Sequence, residues 1–383
     1  MTIALGNGRV FTGTMTIEGV AVLIDGDEIA DLLPEDQLTA DMETVDLGGG
    51  LLIPGFIDLQ VNGGGGLLFS ETPTIAAIDA IGASHRAFGT TSFLPTVISS
   101  SLATMKNARD AVVEAVHEPG SGVIGIHFEG PCLNPRRKGV HDEKLLSSPT
   151  EKLIDIVLGQ EVAPTLMTVA PEMTSAKTIR RLVASGVTVA IGHSDASYEQ
   201  TRAALDAGAT GFTHLFNAMS PLRSRDPGVV GAALDDVSSF CGVIADGHHA
   251  HWASLRIAIS AKPTGKVFLV TDAMSAVGTD AKEFQLYGEN VRIENGRCET
   301  SAGVLAGSNL NMAQAVRNAT GHLGVTVEEA IRMATTYPAR FAGIDSLYGS
   351  IERGKKANLV LVDDGLRVLR VWERGRPFVP SGL

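Results

Sequence analysis

Six apolar runs in the middle of this chain end on side chains that can bind a metal, move a proton or hold a polar ligand. They are Phe56-Ile57-Asp58-Leu59-Gln60, Ile126-His127-Phe128-Glu129-Gly130, Ala190-Ile191-Gly192-His193-Ser194-Asp195, Phe212-Thr213-His214, Ala245-Asp246-Gly247-His248-His249 and Val270-Thr271-Asp272. Glu129, His193 and His214 are the candidate metal ligands. Two imidazoles and one carboxylate form a catalytic shell for a divalent ion such as zinc, with a fourth position left for water. Taken singly, each reads as a buried, hydrogen-bonded polar residue; the metal reading rests on all three sharing one pole. Asp272 is the candidate general acid/base, able to accept a proton from metal-bound water and pass it to a leaving amine. Its plainer reading is a cap or turn residue. His141, in Lys138-Gly139-Val140-His141, either polarises a substrate carbonyl or is a surface histidine. Arg225, in Arg223-Ser224-Arg225-Asp226-Pro227-Gly228, either offers a planar fork to a phosphate, with His249 assisting, or is a solvated loop charge. Composition does not rank His248 and His251. His85, His117 and His322 lie on helical stretches and read as structural or exposed. His127 reads as a packed core imidazole.

Residues this far apart share a site only if strands bring their ends together. Candidate strands run over 51–60, 91–98, 122–129, 165–170, 187–192, 210–214, 239–245 and 266–271. Helical patterns lie between most of them, for example 74–88, 103–116, 175–185 and 196–207. Eight strands alternating with helices predict an α/β fold, a (β/α)8 TIM-type barrel, whose chemistry sits at the C-terminal ends of its strands. An open doubly wound sheet is the alternative. It would offer a glycine fingerprint after its first strand, and Asn62-Gly63-Gly64-Gly65-Gly66 lacks that spacing. The barrel is expected over 51–342, with a β insertion near 283–304. Segments 1–50 and 343–383 are cut into short strands and turns, and are expected to meet in one small β-sandwich domain.

The whole-chain numbers limit the partners. At 383 residues and 44% hydrophobic, the chain can bury a large core and is not of the disordered class. A net charge of −12 disfavours a generic nucleic-acid binder, yet leaves room for a small anionic ligand held by a few local groups. Cys132, Cys241 and Cys298 form no C-x-x-C pair, which points to a reducing compartment. No signal-peptide pattern and no apolar run of about 18 residues is evident, so a cytoplasmic protein without a membrane span is expected.

Leu52-Ile53-Pro54-Gly55-Phe56-Ile57-Asp58 resembles the first-strand signature of the amidohydrolase superfamily. His127-Phe128-Glu129-Gly130-Pro131, Ala170-Pro171-Glu172, Gly192-His193-Ser194, Thr213-His214-Leu215-Phe216-Asn217-Ala218-Met219, Ala245-Asp246-Gly247-His248-His249 and Val270-Thr271-Asp272-Ala273 narrow it. Together they resemble the N-acetylglucosamine-6-phosphate deacetylases along nearly the whole chain. The resemblance implies that Glu129, His193 and His214 hold the metal, that Asp272 is the acid/base and that His141 contacts the substrate carbonyl. It also implies substrate contacts from Val140, from Asn217 and Ala218, from Arg225, from Asp246, Gly247, His248 and His249, and from Leu305, Ala306 and Gly307. The substrate is then an amino-sugar phosphate, cleaved to acetate and D-glucosamine 6-phosphate. The site is completed across a homodimer or higher homo-oligomer, so that Arg225 or His249 serves a neighbouring chain. Many superfamily members carry His-x-His on the first strand and bind two metals. Here Gln60 and Asn62 stand near that place, and a neutral amide is a weak zinc ligand. One divalent ion per chain is therefore expected, zinc first among the transition metals. The rival readings are the same chemistry on the galacto epimer, another amidohydrolase such as a dihydroorotase-like enzyme, and a non-catalytic barrel scaffold.

Overall fold

The structure, a computed structural model, describes residues 2–118, 120–159 and 164–378. Eight apolar runs pair in parallel, each beside the next in chain order: Phe56–Val61, Thr90–Ile98, Ile126–Glu129, Thr165–Val169, Thr188–Ile191, Gly211–Phe212, Phe240–Val243 and Val267–Leu269. Just beyond the last strand, the Asp272 N–H donates to the Gln60 carbonyl at 3.0 Å and Ala273 bridges Val61. These links bring the last strand back to the first and close the sheet into the expected (β/α)8 barrel. Helices cover its outside, so nearly every strand position is buried. That explains why the runs are continuously apolar and do not alternate.

The helices start where the sequence supplies a cap. Thr74, Ser101, Thr150, Ser175 and Ser197 each accept a backbone N–H in the first turn of the helices Ile75–Arg86, Leu102–Ala115, Glu151–Val157, Ala176–Ala184 and Tyr198–Asp206. Ser197 and Gln200 complete a reciprocal capping box.

The stretch 51–60, read in sequence as one strand, divides at Gly55. Leu51–Pro54 joins a six-stranded sheet with strands from both ends of the chain, including Arg9–Phe11, Leu359–Val362 and Val368–Glu373. Phe56–Val61 then enters the barrel. A β-carbon at Gly55 would lie 2.0 Å from the Thr91 hydroxyl, so only glycine passes this crossing. A four-stranded sheet built from Thr2–Gly6, Val20–Asp25, Glu28–Pro34 and Glu43–Asp46 packs against the six-stranded one. Leu5, Val22 and Ile29 from one sheet meet Val10, Leu52, Leu359 and Trp372 from the other in a separate core, giving the sandwich expected of the two termini.

The insertion is an antiparallel meander of Glu283–Leu286, Glu289–Glu294, Arg297–Thr300 and Leu305–Ser308. Its apolar face, with Leu286, Val291, Cys298 and Ala306, packs on Leu68, Ile98 and Met274 at the barrel mouth. Ser308 fastens it there: its N–H donates to the Asp272 carbonyl at 2.9 Å and its hydroxyl to the Thr271 carbonyl at 2.6 Å.

Candidate active site

Glu129 ends the third barrel strand, and His193 and His214 follow the fifth and sixth. His193 Nε2 lies 3.3 Å and His214 Nε2 3.0 Å from the same carboxylate oxygen, Glu129 Oε1, and the two nitrogens are 3.0 Å apart. His193 Nδ1 donates to the carbonyl of Arg137 at 2.9 Å. A carbonyl can only accept, so in the neutral ring Nε2 presents its lone pair to the cluster. Two nitrogens and a carboxylate oxygen converging at these separations fit one small divalent cation. Burial would raise the Glu129 pKa, but the imidazoles of His193 and His214 beside its carboxylate hold it well below the usual carboxylate range.

The backbone is bent to aim these groups. His193 (φ 48°), His214 (φ 30°) and Asp272 (φ 52°) all lie in the left-handed region, with Phe216 (φ 80°) and Ala218 (φ 52°) nearby. Such a conformation costs a non-glycine residue roughly 1–2 kcal/mol.

Asp272 stands beside the triad. Its Oδ1 accepts from Asn62 Nδ2 at 2.7 Å and from Gln60 Nε2 at 3.0 Å, and Gln60 Nε2 also reaches Glu129 Oε1 at 3.0 Å. Burial raises the pKa of Asp272, and the nearby charge of Glu129 raises it further. Gln60 therefore stands as a donor between two carboxylates, and Asn62 donates to Asp272 alone. In sequence, Gln60 and Asn62 stand out only as failed metal ligands. Their spacing of two at a strand end, which puts both on one face, is the available signal for this role. Below them, burial pushes Asp58 up to about 7 despite a hydrogen bond from the Thr271 hydroxyl.

His141 is buried, with its ring centroid 4.6 Å from that of His193. The Ser99 N–H donates to its Nδ1 at 3.3 Å and the Ser99 hydroxyl lies 2.8 Å from the same atom, so Nε2 carries the proton. Burial lowers its pKa to about 3, so the ring is a neutral N–H donor.

Glu129, His193, His214, Asp272, Asn62 and His141 line a cavity of about 470 Å³ that also takes in Val140, Asn217, Ala218, His249, Leu305 and Gly307. Arg136, Arg137 and Arg297 line it too, although no sequence feature singles them out. Loop and insertion arginines carry no periodic signal that places them in a cavity. Asp246 does not line it, but its carboxylate lies 2.6 Å from His249 Nδ1 and accepts the N–H groups of His248 and His249. Gly247 packs under Trp252, and Ala306 is buried on the apolar face of the insertion. His248 lines a neighbouring concavity, with Nε2 at 3.0 Å from the Asn295 carbonyl. Arg225 lies on an exposed loop and does not line this chain's cavity. Among the other histidines, His127 is packed between Thr96 and Thr168, as expected, and His322 stacks on Trp252.

The Amidohydrolase family profile matches residues 51–377, and the profile of the NagA composite domain matches residues 3–52. An N-acetylgalactosamine-6-phosphate deacetylase from Shewanella sp. (strain ANA-3) is 46% identical over 88% of this chain and 85% of its own length. An N-acetylglucosamine-6-phosphate deacetylase from Haemophilus influenzae is 35% identical over 98% of this chain and 99% of its own. The crystal structure of N-acetylglucosamine-6-phosphate deacetylase from Pasteurella multocida superposes with a TM-score of 0.95 at 35% identity, covering 99% of this chain and 100% of that one.

Proposed function

We propose the following reading from the premise that the chain belongs to the amidohydrolase family. It is a hydrolase that removes the acetyl group of N-acetyl-D-glucosamine 6-phosphate, giving acetate and D-glucosamine 6-phosphate. The observation that carries the mechanism is the convergence of Glu129, His193 and His214 on one point, with Asp272 and His141 facing the same cavity.

Glu129, His193 and His214 hold one divalent metal ion per chain, and their nitrogen and oxygen donors suit zinc. When bound, that ion supplies Lewis acidity toward water and toward an amide carbonyl. The His141 Nε2–H donates a hydrogen bond to the acetyl carbonyl oxygen as negative charge grows there, and keeps its proton. Asp272 takes the proton from the attacking water and returns it to the nitrogen as the carbon–nitrogen bond breaks. The amides of Asn62 and Gln60 keep the Asp272 carboxylate turned toward the cavity. Leu305 and Gly307, on the fastened insertion, cover the sugar, while Val140, Asn217 and Ala218 line its other side. His249, steadied by Asp246, faces the phosphate; Gly247, His248 and Ala306 shape the wall behind it.

Arg225 completes phosphate recognition in a neighbouring subunit's cavity, which makes the working unit a homodimer or higher homo-oligomer. Its exposure on a loop outside this chain's own cavity supports that reading. The three described cysteines are buried and free, in keeping with a cytoplasmic enzyme, and no described helix is long and apolar enough to cross a membrane. The 46% identical relative favours a second reading, the galacto epimer as preferred substrate.

Acetate release from a panel of N-acetylhexosamine 6-phosphates and unphosphorylated N-acetylglucosamine, after metal reconstitution, tests the proposal. The expected result is turnover of the gluco 6-phosphate above all others. Faster turnover of the galacto epimer would install the second reading, and no acetate from any member would end both.

A further inference from the structure

The motif Ala170-Pro171-Glu172 takes no part in the mechanism above, yet its carboxylate ties together two segments that hold His193. Glu172 Oε1 accepts from Asn134 Nδ2 at 2.8 Å and from the Asp195 N–H at 2.6 Å, while Oε2 accepts from the Ser194 hydroxyl at 2.7 Å. The Asn134 N–H donates to the His193 carbonyl at 2.9 Å. One carboxylate thus joins the two residues that follow His193 to the start of the loop 134–141. That loop returns the contact three residues later, because the Arg137 carbonyl accepts from His193 Nδ1. The Arg137 guanidinium locks the same junction from outside, with Nε 2.8 Å from Asp195 Oδ1. The loop ends in His141, whose ring packs against that of His193.

His193 needs such a hold. Its backbone is left-handed (φ 48°), a conformation that does not persist in a histidine unless its neighbours impose it. Its imidazole must also keep one tautomer and one orientation, and the atom that fixes both belongs to the loop that Glu172 anchors. We infer that Glu172 is a positioning residue for the metal centre: it fixes the 134–141 loop to the 193–195 segment and so sets the aim of His193 Nε2. This rests on the reading of Glu129, His193 and His214 as metal ligands. Glu172 touches neither the cavity nor the triad; it acts through His193.

The test uses the full-length protein and Zn(II) itself, with affinity measured by competition against a chromogenic chelator. Glu172→Ala removes both acceptor oxygens and with them all three hydrogen bonds. Glu172→Gln keeps one acceptor oxygen, and its amide can donate to the Ser194 hydroxyl. Residues that orient metal ligands typically change metal affinity or activity by about 10–100-fold. Glu172→Ala is expected to weaken Zn(II) binding in that range and Glu172→Gln by less. Fully loaded Glu172→Ala should show reduced kcat with KM for the sugar phosphate little changed, and its Co(II)-substituted form an altered visible spectrum. A purely structural role would lower the melting temperature and leave the Zn(II) affinity, Co(II) spectrum and kcat of the folded protein at wild-type values; that outcome overturns the inference. If Glu172→Ala does not fold, Glu172→Gln decides by the same readouts: weaker binding supports positioning, and unchanged binding and spectrum refute it. Should wild-type protein bind no Zn(II), the metal-centre reading itself fails, which is a distinguishable result.

Discussion

Two clusters of buried charge sit at different places on this barrel, and they are balanced differently. Where the terminal sandwich meets the barrel, Arg86 pairs with Glu373, both side chains 10% exposed or less. Glu373 also accepts the Gly122 N–H at 2.9 Å, and Arg86 reaches the Gly120 carbonyl. One cation faces one anion, and each also meets one backbone group. At the mouth, Glu129 and Asp272 face each other across the amide of Gln60, and no lysine or arginine pairs with either among the described residues. Only imidazoles and amides stand between them. The balanced cluster is finished as built and serves to hold two domains together. The unbalanced one has room for a cation to complete it, and the proposed reaction would supply both that cation and a proton to move.

The sharpest break of this contrast is Asp272→Asn. It removes the mouth's surplus negative charge and keeps the shape, so the metal should stay while turnover falls by about 10²–10⁴-fold, the usual contribution of a general acid/base. Acetate release with metal analysis checks it. Near-normal turnover would shift the proton to Asp58 or Asp246.

Glu373→Ala should do the reverse. Removing one partner of a buried ion pair strands the other, at a cost of roughly 3–5 kcal/mol. Urea unfolding should show that loss, while kcat of the folded protein stays near wild type. A loss of kcat without a loss of stability would mean that the two clusters are coupled.

A third buried group, His85, carries no charge at all and sharpens the comparison. It sits on the helix that ends in Arg86, with its Nε2 2.9 Å from the Gly63 carbonyl. Burial lowers its pKa from 6.5 to about 4. Between those values the unfolded chain holds a proton that the folded chain refuses. The stabilisation is therefore full above pH 6.5, falls away as the pH drops toward 4, and levels off below that. The whole loss across this window is roughly 3 kcal/mol, because each pH unit within it removes about 1.4 kcal/mol. Unfolding midpoints at pH 7 and pH 5 should separate more in wild type than in His85→Gln. Equal separations would remove His85 as the cause.

The smallest effect expected is that of Arg225. A hydrogen bond to a charged group contributes about 1.5–3 kcal/mol, so Arg225→Ala should raise KM for the phosphorylated sugar by about 10–150-fold and leave the unphosphorylated sugar nearly unchanged. Mixed oligomers of Arg225→Ala and Asp272→Asn chains should regain part of the activity. No recovery after proven subunit exchange would return Arg225 to its own chain's cavity.

Much of the barrel and of its polar rim could be read in advance, because strand ends are local in sequence. The runs that finish in Glu129, His193, His214 and Asp272 announce both the strand and the group it presents. What stayed hidden depends on residues meeting from distant segments. Gly55 looks like one glycine among many until Thr91 is seen against it. Glu172 appears in the sequence only within the Ala170-Pro171-Glu172 motif, with no role until the 134–141 loop folds onto it. The arginines at the cavity are placed by loop and insertion geometry that no periodicity encodes.

The left-handed residues at the mouth bear on how this protein would change under selection. Glycine takes a positive φ without steric strain, so a library screened only for heat tolerance should enrich glycine at 193, 214 and 272 wherever that relief exceeds glycine's entropic cost. Each gain would delete a candidate metal ligand or the proposed acid/base. A survivor of that screen would be a sturdier barrel with nothing to do. The same three positions, held against their own backbone preference, are where a search for activity and a search for robustness would pull the chain in opposite directions.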